Sequence, residues 1–360
     1  MKKTVYGLCD AARAWYFKVK KELMSLGVQK CPVDNSLFFW HNSGKLEGLL
    51  CVYVDDFLWA GTKRFYETVI HQLMSRFSFG ITASASFTYV DLSIKEFENG
   101  ITLDQIHYIA SLSNTPIPRQ RAAEKTADLT SKEKKSFKAL VGQLGWVSTH
   151  TRPDIAFETC VLTSSVTQAT VANFLQLNKL VDRAQRNNVN LYFPRLSNIH
   201  ESTFECFTDA SLRNLPNEGS QAGFVIFLKD VNGKRCPIFW QSKRIERVVN
   251  SSLAAETMAL IDGARTAEYL KKIFIYLLGK TGLQMKIVCF TDNKSLVSAL
   301  QKQTQIQDRK FRCDLLIIKE MLEKKEITTV KWIDSKAQLA NSLTKMGANK
   351  DDLLLSICRP

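Results

Sequence analysis

Two groups of acidic residues in this chain have the types and spacing to do chemistry. Asp55 and Asp56 are adjacent and follow the apolar run Val52-Tyr53-Val54. Neighbouring side chains on a strand point to opposite faces, but a tight turn can bring both to one metal ion. Hard Mg2+ takes oxygen ligands, and carboxylates together with substrate phosphates are its usual shell. Two such ions, about 3.5–4 Å apart, stabilise the attacking and leaving oxygens when a phosphodiester is made or broken. The second group is an ordered series. Asp209 ends the run Phe207-Thr208, Glu256 stands in Ala254-Ala255-Glu256-Thr257 at the start of a long helical pattern, and Asp292 follows Phe290-Thr291. Taken singly, such residues are caps or turn formers. The series strand-Asp, helix-Glu, strand-Asp is what makes a metal-binding pattern. All five histidines precede residue 201, so chemistry in the last third must run without them.

The elements that must position these groups can be read from periodicity. Trp15, Val19, Leu23 and Leu26 share one face of a helix over 11–26, and Gly27 stops it. Residues 36–40 and 49–54 read as strands around the polar turn His41-Asn42-Ser43-Gly44-Lys45, which puts Asp55-Asp56 at the far end of the hairpin. Helical spacing returns over 63–77, and strands are expected near 87–97 and 101–103 around Asn99-Gly100. Residues 113–136, with Pro116, Pro118 and the charged run ending at Ser136, read as a linker. Helices fill 136–193, interrupted at Thr151-Arg152-Pro153-Asp154. The last third offers strands at 203–209, 222–229 and 236–241 and a helix over 252–278. A strand at 286–291, helices at 293–301 and 309–324, a strand at 327–333 and a final helix follow. This is a mixed α/β layout.

Composition bounds the partners. Lys+Arg 49 against Asp+Glu 35 leaves a net charge of +14, which favours polyanions because neutralised phosphates release counterions. The nine cysteines are scattered with no CxxC pair, the pattern of free thiols in a reducing compartment. No stretch approaches the roughly 18 apolar residues of a membrane span, and the amino-terminal Met1–Tyr6 segment lacks an apolar signal core. The expectation is a soluble intracellular protein, in cytoplasm or nucleus, with no membrane partner.

Several segments together resemble the copia-type LTR retrotransposon Pol polyproteins. Val5-Tyr6-Gly7-Leu8 through Arg13-Ala14-Trp15-Tyr16 is similar to the family's LYGL…RAWY block, with Cys9-Asp10-Ala11-Ala12 where the family has Lys-Gln-Ala-Pro. Asp34–Phe38 resembles its D-x-S-L-F, and Tyr53-Val54-Asp55-Asp56 its polymerase signature. Asn99–Gln105 with Tyr108-Ile109, Gly142–Trp146 and Thr151–Ala156 resemble the segments that follow. Thr208–Ser211, Ala254–Glu256, Asp292–Ser295 and Trp240–Arg244 resemble TDAS, AAE, DN-x-S and the segment ahead of the helix. Trp332–Lys345 resembles the closing pattern W-x-x-[ST]-x-x-Q-x-AD-x-x-TK.

The resemblance implies an α/β and α+β protein in three parts. These are a partial reverse-transcriptase palm and thumb (1–112), a linker and helical connection (113–200), and a ribonuclease H-like mixed-sheet domain (201–350). It implies Mg2+ held by Asp55 and Asp56 in the palm, and a two-ion site of Asp209, Glu256 and Asp292, open to Mn2+, in the last domain. Nucleic-acid contacts are expected from Arg13, Tyr53, Gln241, Ser242, Lys243 and Arg244. Lys243, Arg244 and Arg247 form a basic stretch suited to phosphate, and Gln241 and Ser242 could reach sugar hydroxyls. The expected partners are template-primer and RNA–DNA hybrid, with upstream parts of the same polyprotein. Two departures bear on activity. The family's first palm aspartate lies upstream of the Tyr6-Gly7-Leu8 block, so the chain as given is expected not to polymerise. The family's aspartate after alanine in the closing motif is Asn341 here, expected on a late helix beside Asp209. An amide oxygen can coordinate a cation but adds no charge, so ribonuclease H activity is expected to be weak. The rival reading is a catalytically impaired nucleic-acid-binding remnant of a retroelement.

Overall fold

Val19 and Leu23, one turn apart, are fully buried on the helix α1 (Ala11–Ser25), which ends at Gly27 with a left-handed φ of 78°. A computed structural model describes residues 10–215, 218–279, 285–301 and 308–358. The Tyr6-Gly7-Leu8 block lies outside the described residues. The chain divides into two units, one of Met1–Val90 with Tyr269–Gln284, the other of Asp91–Glu268 with Met285–Pro360.

In the first unit, β1 (Gln29–Lys30), β2 (Leu37–Asn42), β3 (Lys45–Tyr53) and β4 (Asp56–Gly61) form an antiparallel sheet in that order. The turn between β2 and β3 uses left-handed Ser43 and Gly44. A helical segment then runs through α2 (Lys63–Phe65), a π-helical turn (Tyr66–Ile70) and α3 (His71–Arg76), and β5 (Ser86–Tyr89) follows. Gly48 and Gly61 face each other across β3 and β4. The Phe65 ring lies on that glycine pair, so near that a Cβ at Gly48 would sit 2.2 Å from it. Glycine is required there because an aromatic ring packs directly on backbone. Phe38, Leu50, Phe65, Val69 and Leu23 close this core.

The second unit begins with β6 (Leu92–Phe97) and β7 (Gly100–Asp104). The strand expected over 87–97 is broken, because Val90 and Asp91 both take left-handed φ. Then come α4 (Ile106–Ser111), α5 (Arg119–Ala123), α6 (Ser131–His150), α7 (Ala156–Ser164), α8 (Val171–Arg186) and β8 (Leu191–Pro194). The linker expected over 113–136 is instead structured. Leu129 is buried in the helical core with Ile117 packed against it, and Thr130 and Glu133 form a reciprocal capping box that starts α6. The prolines misled the reading because the apolar residues that anchor this stretch are isolated. Residues 191–193, expected as helix, lie in β8, antiparallel to β7. Arg152 and Asp154, at the break between α6 and α7, form a buried two-pronged ion pair at 2.8 and 2.9 Å, and Arg152 also donates to the Ala184 carbonyl. That motif is a structural bracket.

The larger sheet contains β9 (Thr203–Leu215), β10 (Gly219–Lys229), β11 (Arg235–Ile245), β12 (Lys286–Thr291) and β13 (Thr329–Trp332). Its order is β11-β10-β9-β12-β13; the first three are antiparallel, and β12 and β13 run parallel to β9. This is a mixed sheet, as expected for the last third of the chain. The helices α9 (Ser252–Leu278), α10 (Lys294–Gln301), α11 (Arg309–Glu323) and α12 (Asp351–Ile357) accompany it. The Trp240 indole on β11 donates to the Ser148 carbonyl of α6 at 2.7 Å, tying the helical part to this sheet. No described helix is long and apolar enough to cross a membrane.

Candidate metal centre

Asp209 lies on central strand β9, Glu256 in the second turn of α9, and Asp292 just past the end of β12. The parallel pairing of β9 with β12 brings the two aspartates to the same sheet end, and α9 carries Glu256 over them. One carboxylate oxygen from each lies within 4.8 Å of the others, and among the described residues this is the one such group of acidic, histidine or cysteine side chains. Asp209 is fully buried and Glu256 nearly so. Burial raises the Asp209 carboxyl above the ordinary range, while the Lys345 ammonium and Thr344 hydroxyl pull it down. Burial, then the charges of Asp209 and Asp292, push Glu256 up to about 9. Its Oε2 is buried without a hydrogen-bond partner. Three crowded carboxylates with an orphaned oxygen fit a hard divalent cation, which would satisfy both the charge and the open lone pair.

The closing motif wraps this cluster. The Trp332 indole donates to the Asp292 carbonyl at 3.0 Å, and the Ser335 hydroxyl to Asp292 Oδ2 at 2.6 Å. Gln338 donates to the Thr208 carbonyl at 2.9 Å. The Thr344 hydroxyl donates to Asp209, and Lys345 Nζ lies 3.2 Å from it. Sequence reading singled out Asn341 and overlooked Ser335, Gln338, Thr344 and Lys345, although all stand at motif positions. Asn341 itself is not on a late helix. It opens a short 3-10 turn (Asn341–Leu343), donates to the Ser335 carbonyl at 2.8 Å and accepts from Lys345 at 3.1 Å. The helix α12 starts ten residues later because Gly347, at a φ of 72°, intervenes.

The expected nucleic-acid contacts on β11 are partly committed elsewhere. Gln241 is exposed. The Ser242 hydroxyl donates to the Leu343 carbonyl at 2.6 Å and accepts from Gln221. Lys243 pairs with Asp262 at 2.8 Å, and Arg247 pairs with Asp314. The Arg244 guanidinium lies over Gly219. A basic run in sequence is therefore not a free basic face, because neighbouring elements supply carboxylates.

In the first unit, Asp55 and Asp56 are exposed on a tight turn where Tyr53 faces Asp56 across the hairpin. Val54 holds a left-handed φ of 52°, a strained position for a β-branched residue, and its carbonyl accepts from the Trp15 indole at 2.7 Å. Thus the RAWY and YVDD segments meet. Asp34 of the intervening motif accepts from the Ser36 N–H at 2.8 Å, a turn-forming role. Arg13 stacks on Phe17, and Tyr53 is half-exposed.

Residues 1–116 match the family model described as reverse transcriptase (RNA-dependent DNA polymerase). The chain is 24% identical over 286 residues to the retrovirus-related Pol polyprotein from transposon RE1 of Arabidopsis thaliana, covering 75% of this chain and 19% of that protein. It is 25% identical to the corresponding polyprotein from transposon TNT 1-94 of Nicotiana tabacum, covering 96% of this chain and 27% of that protein. It thus spans about a fifth to a quarter of the length of these relatives. A structure of the foamy viral protease-reverse transcriptase in complex with dsDNA aligns with a TM-score of 0.49 at 11% identity, covering 92% of this chain and 60% of that one. Over most of its length the chain is similar to retrotransposon Pol polyproteins, and its first 116 residues match the reverse-transcriptase family.

Proposed function

We infer that the ribonuclease H-like domain hydrolyses the RNA strand of RNA–DNA hybrids with Mg2+, or Mn2+, at Asp209, Glu256 and Asp292. The observation that carries this is the convergence of the three carboxylates around a buried, unpartnered Glu256 oxygen. A divalent ion held by these carboxylates would polarise the phosphoryl oxygens and lower the pKa of the attacking water. The chain's own residues hold the cluster: Thr344 and Lys345 orient Asp209, and Ser335 orients Asp292. Gln241, exposed on β11, would contact the sugar of a bound strand, and the net charge of +14 favours a polyanion. Asp55 and Asp56 are the carboxylates we assign to a nucleotidyl-transfer site on template-primer. The test is cleavage of end-labelled RNA in a hybrid, with duplex DNA as control. Metal-dependent RNA cleavage lost in Asp209→Asn and Asp292→Asn supports the reading, and cleavage unaffected by both overturns it.

A second reading, a nucleic-acid-binding remnant with impaired catalysis, is favoured by Asn341, which is neutral where the resembling motif has aspartate. Salt-sensitive hybrid binding without cleavage in either metal would select it.

A further inference from the structure

Asp209 shares its carboxylate with a cation that the chain itself carries. Lys345 Nζ is 3.2 Å from both Asp209 oxygens and 3.1 Å from Asn341 Oδ1. These are ammonium–oxygen distances, longer than the roughly 2.0–2.1 Å at which Mg2+ holds its ligands.

The lysine is held in place from several sides. Gly223 on β10 faces Asp209 across the sheet. A Cβ at Gly223 would sit 2.7 Å from Leu343 and 2.8 Å from Thr344, so the turn before Lys345 rests on backbone beside Asp209. Ser211 and Asn214 donate to the Thr344 carbonyl at 2.7 and 2.8 Å, and Ser242 donates to the Leu343 carbonyl. Side chains from two strands, β9 and β11, thus pin the two residues preceding Lys345. A surface lysine reaching for a nearby acid would need none of this.

Charge then decides what else the site accepts. Asp209, Glu256 and Asp292 bring three negative charges when ionised, and Lys345 removes one of them. The remaining two match a single divalent cation. Asn341 adds an acceptor that suits an ammonium and contributes no charge to attract a second dication.

We propose that Lys345 is a resident cation of the cluster, standing between Asp209 and residue 341 where a second divalent ion would otherwise sit, so that the site takes one divalent cation. This rests on the hydrolytic reading above and assigns it a stoichiometry and a positioning residue. It predicts that the lysine and the asparagine act as a pair. Removing the ammonium alone strengthens the attraction for the first ion. Removing it and supplying a carboxylate at 341 opens a second site.

The experiment counts Mn2+ bound to the full chain, by calorimetry and by the paramagnetic signal of the free ion. The set is wild type, Lys345→Met, Lys345→Gln, Asn341→Asp with Lys345→Met, and Asp209→Asn. One ion is expected in wild type, with binding tightened about tenfold by either lysine substitution through loss of a nearby like charge. Two ions are expected in the double variant, and weakened binding in Asp209→Asn. The glutamine variant keeps a hydrogen-bonding side chain without charge, so agreement between it and the methionine variant separates charge from packing. Two ions in wild type overturn the proposal. So does a count of one with unchanged affinity in all three lysine-substituted proteins, while Asp209-dependent cleavage would leave the hydrolytic reading standing. Absence of Mn2+ binding together with absence of cleavage overturns both.

Discussion

Lys345 and Asp209 form an ion pair of unequal burial, with 43% of the lysine side chain exposed against 1% of the aspartate. The lysine brings charge to a carboxylate that water does not reach, while much of its own side chain stays exposed. Asn341 accepts from the same ammonium, so residue 341 acts on Asp209 through Lys345.

Asn341→Asp adds a carboxylate beside that ammonium and strengthens the field on the bound ion. Hybrid cleavage in Mg2+ is expected to rise by about tenfold, the lower end of electrostatic effects in active sites. The amide also donates to the Ser335 carbonyl, and that bond is lost, which limits the gain. Single-turnover cleavage rates check this. An unchanged rate, in a protein whose cleavage still requires Asp209, would remove residue 341 from the site.

Glu256→Gln replaces a buried, crowded carboxylate with a neutral amide. The metal-free protein is expected to gain about 1–2 kcal/mol of stability at neutral pH, because the wild-type carboxyl, pushed up to about 9, must take up a proton on folding and the amide need not. The same change should abolish the rise in melting temperature that Mg2+ produces in wild type. Thermal unfolding with and without chelator measures both effects. A variant less stable than wild type in chelator would show that Glu256 is already compensated.

Glu133 ties the start of α6 to α5. Its carboxyl is held down to about 2 by the hydrogen bond from Arg121 and by the Thr130 backbone N–H. A depressed folded pKa contributes stability that is fully present above the unfolded value, about 4.3, and lost as pH falls toward 2. Since the pair is partly solvated, about 1 kcal/mol is expected, the scale of a capping interaction. Urea unfolding between pH 6 and roughly 2.5 should show this loss in wild type and a flatter profile in Glu133→Gln. Parallel profiles would count against the linkage.

Gly48→Ala should destabilise the first unit by about 2 kcal/mol, since overpacked methyls force rings and backbone apart. The Phe65 ring leaves no space for the added carbon. Adding Phe65→Leu to Gly48→Ala should recover part of the loss. Equal destabilisation with and without that second change would mean that the ring is not the obstacle.

The sequence by itself determined the elements with strong local periodicity and the residues of the cluster. Residues 252–278 and 286–291 form the expected helix and strand without shift, because an amphipathic or buried run states its own geometry. Asp209, Glu256 and Asp292 were legible as an ordered series of strand, helix and strand carboxylates, although β9 continues past Asp209 to Leu215 and does not end there as its apolar run suggested. Asp55-Asp56 was legible as the end of a hairpin. Tertiary structure alone decided the rest. The short strand β8 and the ordered stretch before α6 depend on partners far along the chain, β7 and α8, which local pattern does not contain. Whether Lys243 and Arg247 face solvent or carboxylates depended on where α9 and α11 pack. The roles of Thr344, Lys345 and Asn341 arose only when the closing turn settled on Gly223, since a hydrogen bond across 136 residues is set by packing and not by spacing.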